Sequence, residues 1–441
     1  MPDRSPNFVF IVADDLGFAD LGCYGGRPAR FGAVSPVLDG MAARGVRFTE
    51  GYSNSPVCSP TRFAMMTARW QYRLRGAADE PISARGRGNP QLGLPPSVPT
   101  LPSLLKASGY RTALIGKWHL GYPPHFGPLF SGYDEFFGPM SGGVDYFTHR
   151  GVLGDDDLFV GHEAQQHEGY LTDLISKRGA DYVRRMKDGC DAPWLLSLHY
   201  TAPHWPWETR DDAHMSDAVK SNLFHLDGGN IHTYHRMIHH MDEGIGWVLD
   251  ALRETGQLEN TLVVFTSDNG GERFSDNWPL VGGKMDLTEG GIRVPWIAQW
   301  PAVIPAGTTT TQHCLTMDWS ATMLDAAGVA AHPDYPLDGV SLLPVLHEPA
   351  RTFHRPLYWR MNHRGQRAYR DGRWKYLRVD GHEYLFDIPA DERERANLGH
   401  RHPDRLAEMR AAWEAWNESV PPIPPDAAIS LGYGYADMPQ R

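Results

Sequence analysis

The chain has 441 residues, 41% of them hydrophobic and 22% charged, with a formal net charge of -11. This is ordinary globular composition, long enough for a large core and more than one domain, and it excludes disordered and fibrous classes. An acidic balance offers no global basic field to gather nucleic acid, so any bound anion must be held by local charges.

The first apolar run, residues 8–13, is too short for a membrane span or a signal-peptide core and is closed by Asp14 and Asp15. Cys23, Cys58, Cys190 and Cys314 show no paired spacing, which argues against a disulfide framework. The expectation is a soluble, cytoplasmic protein with neither a membrane nor a nucleic-acid partner.

Along the chain, short apolar runs alternate with helical patterns, predicting an α/β fold with a large mostly parallel or mixed sheet sandwiched by helices. Four predicted strands end in chemically capable residues: 8–13 at Asp14-Asp15, 111–116 at Lys117-Trp118-His119, 194–200 at Thr201-Ala202-Pro203-His204, and 262–267 at Asp268-Asn269. Ligands of open α/β sheets bind outside the carboxyl ends of the strands, so four such endings point to one shared site. Helices are expected over 37–44, 59–70, 99–108, 169–187, 231–255 and 319–327, and residues 76–99, rich in Gly, Pro and Arg, form a long loop near the pocket. From residue 346 the pattern changes to short strands at 357–361, 367–370, 373–379 and 383–388, then a helix at 402–420 and a proline-rich tail. The chain is therefore divided into 1–345, carrying the chemistry, and 346–441, a C-terminal subdomain with a small antiparallel sheet and a helix.

The segment Cys58-Ser59-Pro60-Thr61-Arg62 sits at the start of the second helix. Pro60 suits a first turn, Ser59 can cap it, and Cys58 then lies at the positive end of the dipole with Arg62 one turn along. An anion would be at home there, although a lone cysteine is more often an inert buried thiol. Asp14, Asp15, Asp268 and Asn269 gather three negative charges and an amide oxygen. These hard donors favour Ca²⁺ or Mg²⁺ over zinc. Adjacent strand residues point to opposite faces, so Asp14 and Asp15 can share an ion only if the strand stops there. Lys117, His119, His204 and Lys284, with Arg62, would bind a small tetrahedral oxyanion.

Together these segments resemble the formylglycine-dependent sulfatases of the alkaline phosphatase superfamily. Cys58 to Arg62 matches that family's Cys-x-Pro-x-Arg modification signature, and Ile11-Val12-Ala13-Asp14-Asp15, Gly116-Lys117-Trp118-His119, Ser267-Asp268-Asn269-Gly270-Gly271 and Gly282-Gly283-Lys284 match further segments. Asp145 to His149 and Gly169 to Asp173 resemble the arylsulfatase and N-acetylgalactosamine-6-sulfatase branch.

The resemblance implies that a formylglycine-generating enzyme oxidises Cys58 to formylglycine, whose hydrate attacks sulfur. It also implies that Asp14, Asp15, Asp268, Asn269 and the modified Cys58 hold Ca²⁺, with Mg²⁺ possible. Arg62 and Lys117 would fix the hydrate, His119 would take the proton that frees sulfate, and His204 and Lys284 would hold the sulfate, His204 as general acid. Ser141 matches a family serine, and Trp205, Trp207, Tyr146 and His149 are candidate pocket walls. The implied activity is hydrolysis of aryl or carbohydrate sulfate monoesters. A phosphonate monoester or phosphodiester hydrolase with the same modified cysteine is the alternative, and a metal-stabilised binding protein with unmodified Cys58 is a reading of another class.

Overall fold

The computed structural model describes residues 4–25, 31–189, 192–219 and 222–430. In chain order the strands are β1 (Asn7–Ala13), β2 (Val46–Phe48), β3 (Gly51–Tyr52), β4 (Arg111–Gly116), β5 (Glu135–Pro139), β6 (Leu158–Val160), β7 (Glu163–Ala164), β8 (Trp194–His199), β9 (Thr261–Ser267), β10 (Trp296–Gln299), β11 (Thr308–Thr310), β12 (Cys314–Leu315), β13 (Leu357–Arg360), β14 (Arg367–Asp371), β15 (Trp374–Val379) and β16 (His382–Asp387). Ten of them form one sheet in the order β11-β2-β10-β9-β1-β8-β4-β5-β6-β7. Its centre, β9-β1-β8-β4-β5, is parallel, and β10 and β6 add antiparallel strands on either side.

The central strands read as continuous apolar runs because both faces are covered. Alternate residues of β1 serve different layers. Val9, Ile11 and Ala13 pack with Ile175, Val183, Met241 and Val248, from the helices Leu171–Gly189 and Ile231–Glu254. Phe8, Phe10 and Val12 pack instead with Phe63, Leu101 and Trp319, from the helices Cys58–Thr67, Leu101–Ala107 and Thr316–Ala326. The expected helices at 169–187 and 231–255 are both present, the second capped by Asn230, whose side chain accepts from the N–H groups of His232 and Thr233. The helix expected from 319 starts earlier, at Thr316, because the Asp318 carboxylate accepts the Leu315 N–H at 2.8 Å.

The four C-terminal strands β13-β14-β15-β16 form the expected antiparallel sheet. Met409 and Trp413 of the helix Pro403–Glu418 pack on Tyr369, Tyr376 and Leu385. Leu357, Trp359 and Leu377 join a cluster with Cys58, Ala64 and Met285, so this sheet abuts the Cys58 helix. The short helix Leu343–His347 lies across the expected boundary at residue 345. Among the described residues no helix is long and apolar enough to cross a membrane. Cys23, Cys58 and Cys314 are free thiols, and Cys190 lies outside the described residues.

Candidate active site

The carboxyl ends of β1, β4, β8 and β9 converge as their parallel register requires. β1 ends at Ala13, and Asp15 then takes φ 62. The left-handed turn comes from Asp15 itself, a conformation that aspartate tolerates better than most residues, and it lets Asp14 and Asp15 serve the same point. The Asp268 N–H donates to the Ala13 carbonyl at 3.1 Å, Asp14 N–H donates to Ala202 O at 3.1 Å, and Asn269 Nδ2 donates to Asp15 Oδ1 at 2.7 Å. Asp14, Asp15, Asp268 and Asn269 are all buried.

The Cys58 helix departs from the expected cap. Val57, in extended conformation, is the N-cap without a side-chain hydrogen bond, so Cys58 is itself the first helical residue. Ser59 is engaged elsewhere, its Oγ accepting the Ile82 N–H at 2.9 Å, which ties the 76–99 loop to the helix mouth. Arg62 donates from Nε to Asp268 Oδ2 at 2.9 Å and from Nη1 to the Lys117 carbonyl at 3.1 Å. An oxygen of Asp14, an oxygen of Asp268 and the Cys58 sulfur lie within 4.8 Å of one another.

Cationic side chains answer each carboxylate. Lys117 Nζ pairs with Asp14, Arg62 with Asp268 at 2.8 Å, and Lys284 Nζ with Asp15 at 2.7 Å, while His204 Nε2 is 3.5 Å from Asp15. Burial would raise the Asp15 carboxyl, but Lys284 and His204 hold it down at about 2. Burial, reinforced by Asp14, pushes Asp268 up to about 7 against the pull of Arg62 and Lys117. The Cys58 thiol is likewise pushed up to about 11 by burial, despite Lys117 and Lys284. Burial thus favours the neutral thiol over the thiolate at this position.

Two buried oxygens of the cluster, Asp14 Oδ1 and Asn269 Oδ1, have no hydrogen-bond partner among the described residues. Leaving buried acceptors unpaired costs about 1–3 kcal/mol each. A hard cation would satisfy both, and an oxygen-only donor set is what Ca²⁺ or Mg²⁺ accepts; the residues present therefore fit such an ion.

The histidines divide by which nitrogen is occupied. His119, at φ 57 after Lys117, has Nε2 at 2.9 Å from the Ile82 carbonyl, so that nitrogen carries the hydrogen and Nδ1 is left buried without a partner. His204 has Nδ1 at 2.8 Å from the Trp205 carbonyl, which leaves Nε2 facing Asp15. Burial pushes both far below the ordinary histidine range, aided by Lys117 at His119 and by Lys284 at His204. Both are neutral at neutral pH.

These groups open into a cavity of about 820 Å³ lined by Cys58, His119, Ser141, His204, Trp205 and Lys284, and walled on one side by residues 81–87. Gly142 is obligatory at that wall, since a Cβ there would lie 2.3 Å from the His119 ring. Ser141 is fixed by Asp157, which accepts both its N–H at 3.0 Å and its hydroxyl. Trp205 faces the cavity beside Phe224, their rings 4.7 Å apart.

Three expected wall residues lie elsewhere. Trp207 is core, packed against His225 and Phe274. Tyr146 is buried and supports the site from behind, donating its hydroxyl to the His204 carbonyl at 2.9 Å. His149 does not line the cavity: its ring is buried and Nε2 bonds the Gly169 carbonyl at 3.1 Å. Sequence reading missed Asp157 and Ile82. The acidic run Asp155-Asp156-Asp157 was a usable signal for the first; a backbone carbonyl leaves none.

A buried cluster of hard oxygen donors beside a helix-mouth cysteine, under a cationic pocket at the ends of a parallel sheet, is an arrangement suited to binding a small anion next to a cation. The sulfatase family profile matches residues 6–329, and the profile described as N-sulphoglucosamine sulphohydrolase, C-terminal, matches residues 283–410. The chain belongs to the sulfatase family, whose named members are sulfuric ester hydrolases. It is 34% identical over 364 residues to N-acetylgalactosamine-6-sulfatase of the dog, covering 78% of this chain and 66% of that protein. It is 31% identical over 420 residues to human arylsulfatase A, covering 84% and 74%. The crystal structure of Ps i-CgsB in complex with k-i-k-neocarrahexaose superposes with a TM-score of 0.83 at 30% identity, covering 94% of this chain and 93% of that one. The chain thus spans about two thirds of the first relative's length.

Proposed function

We propose that this protein hydrolyses sulfate monoesters of aryl or carbohydrate alcohols, with Cys58 matured to formylglycine by a formylglycine-generating enzyme. Asp14, Asp15, Asp268, Asn269 and residue 58 would hold the cation, Ca²⁺ by donor type, with Mg²⁺ the alternative. The observation that carries the reading is the placement of Cys58 against an all-oxygen cluster whose Asp14 Oδ1 and Asn269 Oδ1 are buried and unpartnered.

When present, the hydrated formylglycine supplies an oxygen nucleophile able to return to the aldehyde, and the cation supplies charge that favours an ionised oxygen there. The chain's own residues do the rest. Three carboxylates are balanced by Arg62, Lys117 and Lys284, so a divalent ion would leave two surplus positive charges, of which a sulfate monoester, a monoanion, offsets one. Arg62 and Lys117 steady negative oxygen beside residue 58. His119 accepts a proton at Nδ1, since Nε2 is committed to Ile82. His204 presents Nε2 and Lys284 its ammonium to the departing oxygen; burial and then Lys284 disfavour a protonated His204, and an anionic ester offsets the Lys284 charge. Trp205 and Phe224 offer an apolar wall for an aryl ring or sugar face.

The division at residue 345 is retained as a proposal, supported by the separate antiparallel sheet of β13 to β16. A reducing, cytoplasmic setting is supported by the free thiols Cys23 and Cys314.

The test compares turnover of an aryl sulfate and an aryl phosphonate by protein from a host competent to make formylglycine. Faster sulfate turnover is expected. A large preference for the phosphonate replaces this reading with a phosphonate monoester or phosphodiester hydrolase. No hydrolysis of either, with a free thiol at Cys58, leaves a metal-stabilised binding protein.

A further inference from the structure

The segment that carries Lys284 is fixed atom by atom from outside. Lys284 N–H donates to the Gly271 carbonyl at 3.1 Å, and Met285 N–H donates to the Pro56 carbonyl at 2.8 Å, two residues before Cys58. Met285 has φ 73, a left-handed backbone that costs a side-chain-bearing residue about 1–2 kcal/mol. Strain of this kind persists only where the surroundings enforce it. The enforcing group is the side chain of Gln366. Its Nε2 donates to the Met285 carbonyl at 2.8 Å, and its Oε1 accepts the Leu287 N–H at 2.8 Å. One buried amide thus clamps both sides of the turn that follows Lys284, from a position immediately before β14. The same small sheet adds a second tie, since Lys375 of β15 pairs with buried Glu289 at 2.9 Å.

We infer that Gln366 is a positioning residue: it holds the strained Met285 turn so that the Lys284 ammonium stands over Asp15 and the departing oxygen. The C-terminal sheet is then part of the catalytic apparatus through Lys284. This inference rests on the sulfatase reading above. Gln366 touches neither ester nor cation, so its effect must pass through the lysine. Small displacements of such a group lower rates by one to two orders of magnitude.

The experiment measures kcat and KM of matured wild type, Gln366→Leu, Lys284→Ala and the double variant on aryl sulfates whose phenols differ in acidity. Gln366→Leu is expected to lower kcat about 10-fold on the least acidic phenol, less on the most acidic, with KM changed little. In the Lys284→Ala background it should cause no further loss. Equal losses across all phenols, or a full additional 10-fold in the double variant, overturn the inference. If the leucine variant does not fold, Gln366→Glu carries the same cycle across pH. Its carboxyl donates to the Met285 carbonyl only when protonated, so activity should recover on acidification; pH-independent activity at the wild-type level overturns the inference. A wild type that cleaves no sulfate ester sinks the sulfatase reading and this one with it, whereas an active wild type with additive losses sinks this one alone.

Discussion

Asp268→Asn removes one charge from the cluster and almost no volume. The native carboxylate is buried, lies 2.9 and 2.8 Å from the Nε and Nη2 of Arg62, and accepts the Asp15 N–H at 3.4 Å. In the variant, two carboxylates face three cationic side chains, and Arg62 loses its ionic partner, keeping a neutral amide oxygen at position 268, the Lys117 carbonyl at 3.1 Å and Asp14 at 4.0 Å. Breaking a buried pair in this way costs about 3–5 kcal/mol, and a divalent ion then enters a pocket that already carries surplus positive charge. A ligand at a hundred times its Kd stabilises the native state by ~2.7 kcal/mol. At ~2.1 cal/mol/K of unfolding entropy per residue over 441 residues, that is a rise in Tm of about 3 °C for wild type. The assay is a set of thermal melts with Ca²⁺, Mg²⁺ or chelator, alongside elemental analysis of the purified protein. The variant should melt lower, show no metal-dependent rise and turn over no ester. Full metal occupancy with an undiminished rise would refute the ligand assignment.

Cys58→Ala should abolish hydrolysis while lowering stability by about 1 kcal/mol, since little more than one methylene's worth of buried volume is lost; activity assays beside melts check it, and a wild-type rate would contradict it. His119→Gln should lower kcat by a factor of about 10²–10⁴, the usual worth of a positioned proton acceptor, with metal content unchanged by elemental analysis. Glu208 is a separate test of the electrostatics, because burial, with Asp145 beside it, pushes its carboxyl from 4.5 up to about 8. A raised acid binds its proton more tightly in the folded chain, so its contribution is fully present below pH 4.5 and is lost as pH rises through 8. Melts of Glu208→Gln between pH 5 and 8 should decline less steeply than wild type, and parallel slopes would sink the assignment.

The elements nearest the chemistry were legible because they are local. Four apolar runs ending in polar residues define a parallel sheet with its site at the strand ends, and the Cys58, Asp14, Lys117, Asp268 and Lys284 segments each carry their own signal. The helix start was misread because Ser59, a good cap by type, is bonded to Ile82 N–H from a loop more than twenty residues away. His149 and Trp207 are chemically suited to a pocket, and only packing against Gly169 and Phe274 removes them from it. The supports of the site were invisible for the same reason. Asp157 under Ser141, Tyr146 behind His204 and Gln366 beside Lys284 act through contacts between distant segments, and such contacts leave no periodicity or spacing to read.

The central claim, that the Cys58 sulfur is absent from the working enzyme, is tested most directly by mass spectrometry of the peptide spanning residues 57–62. Protein from a maturation-competent host should carry formylglycine in place of cysteine, in a fraction that scales with aryl sulfate turnover across preparations. Undiminished turnover by protein holding only the thiol would contradict it.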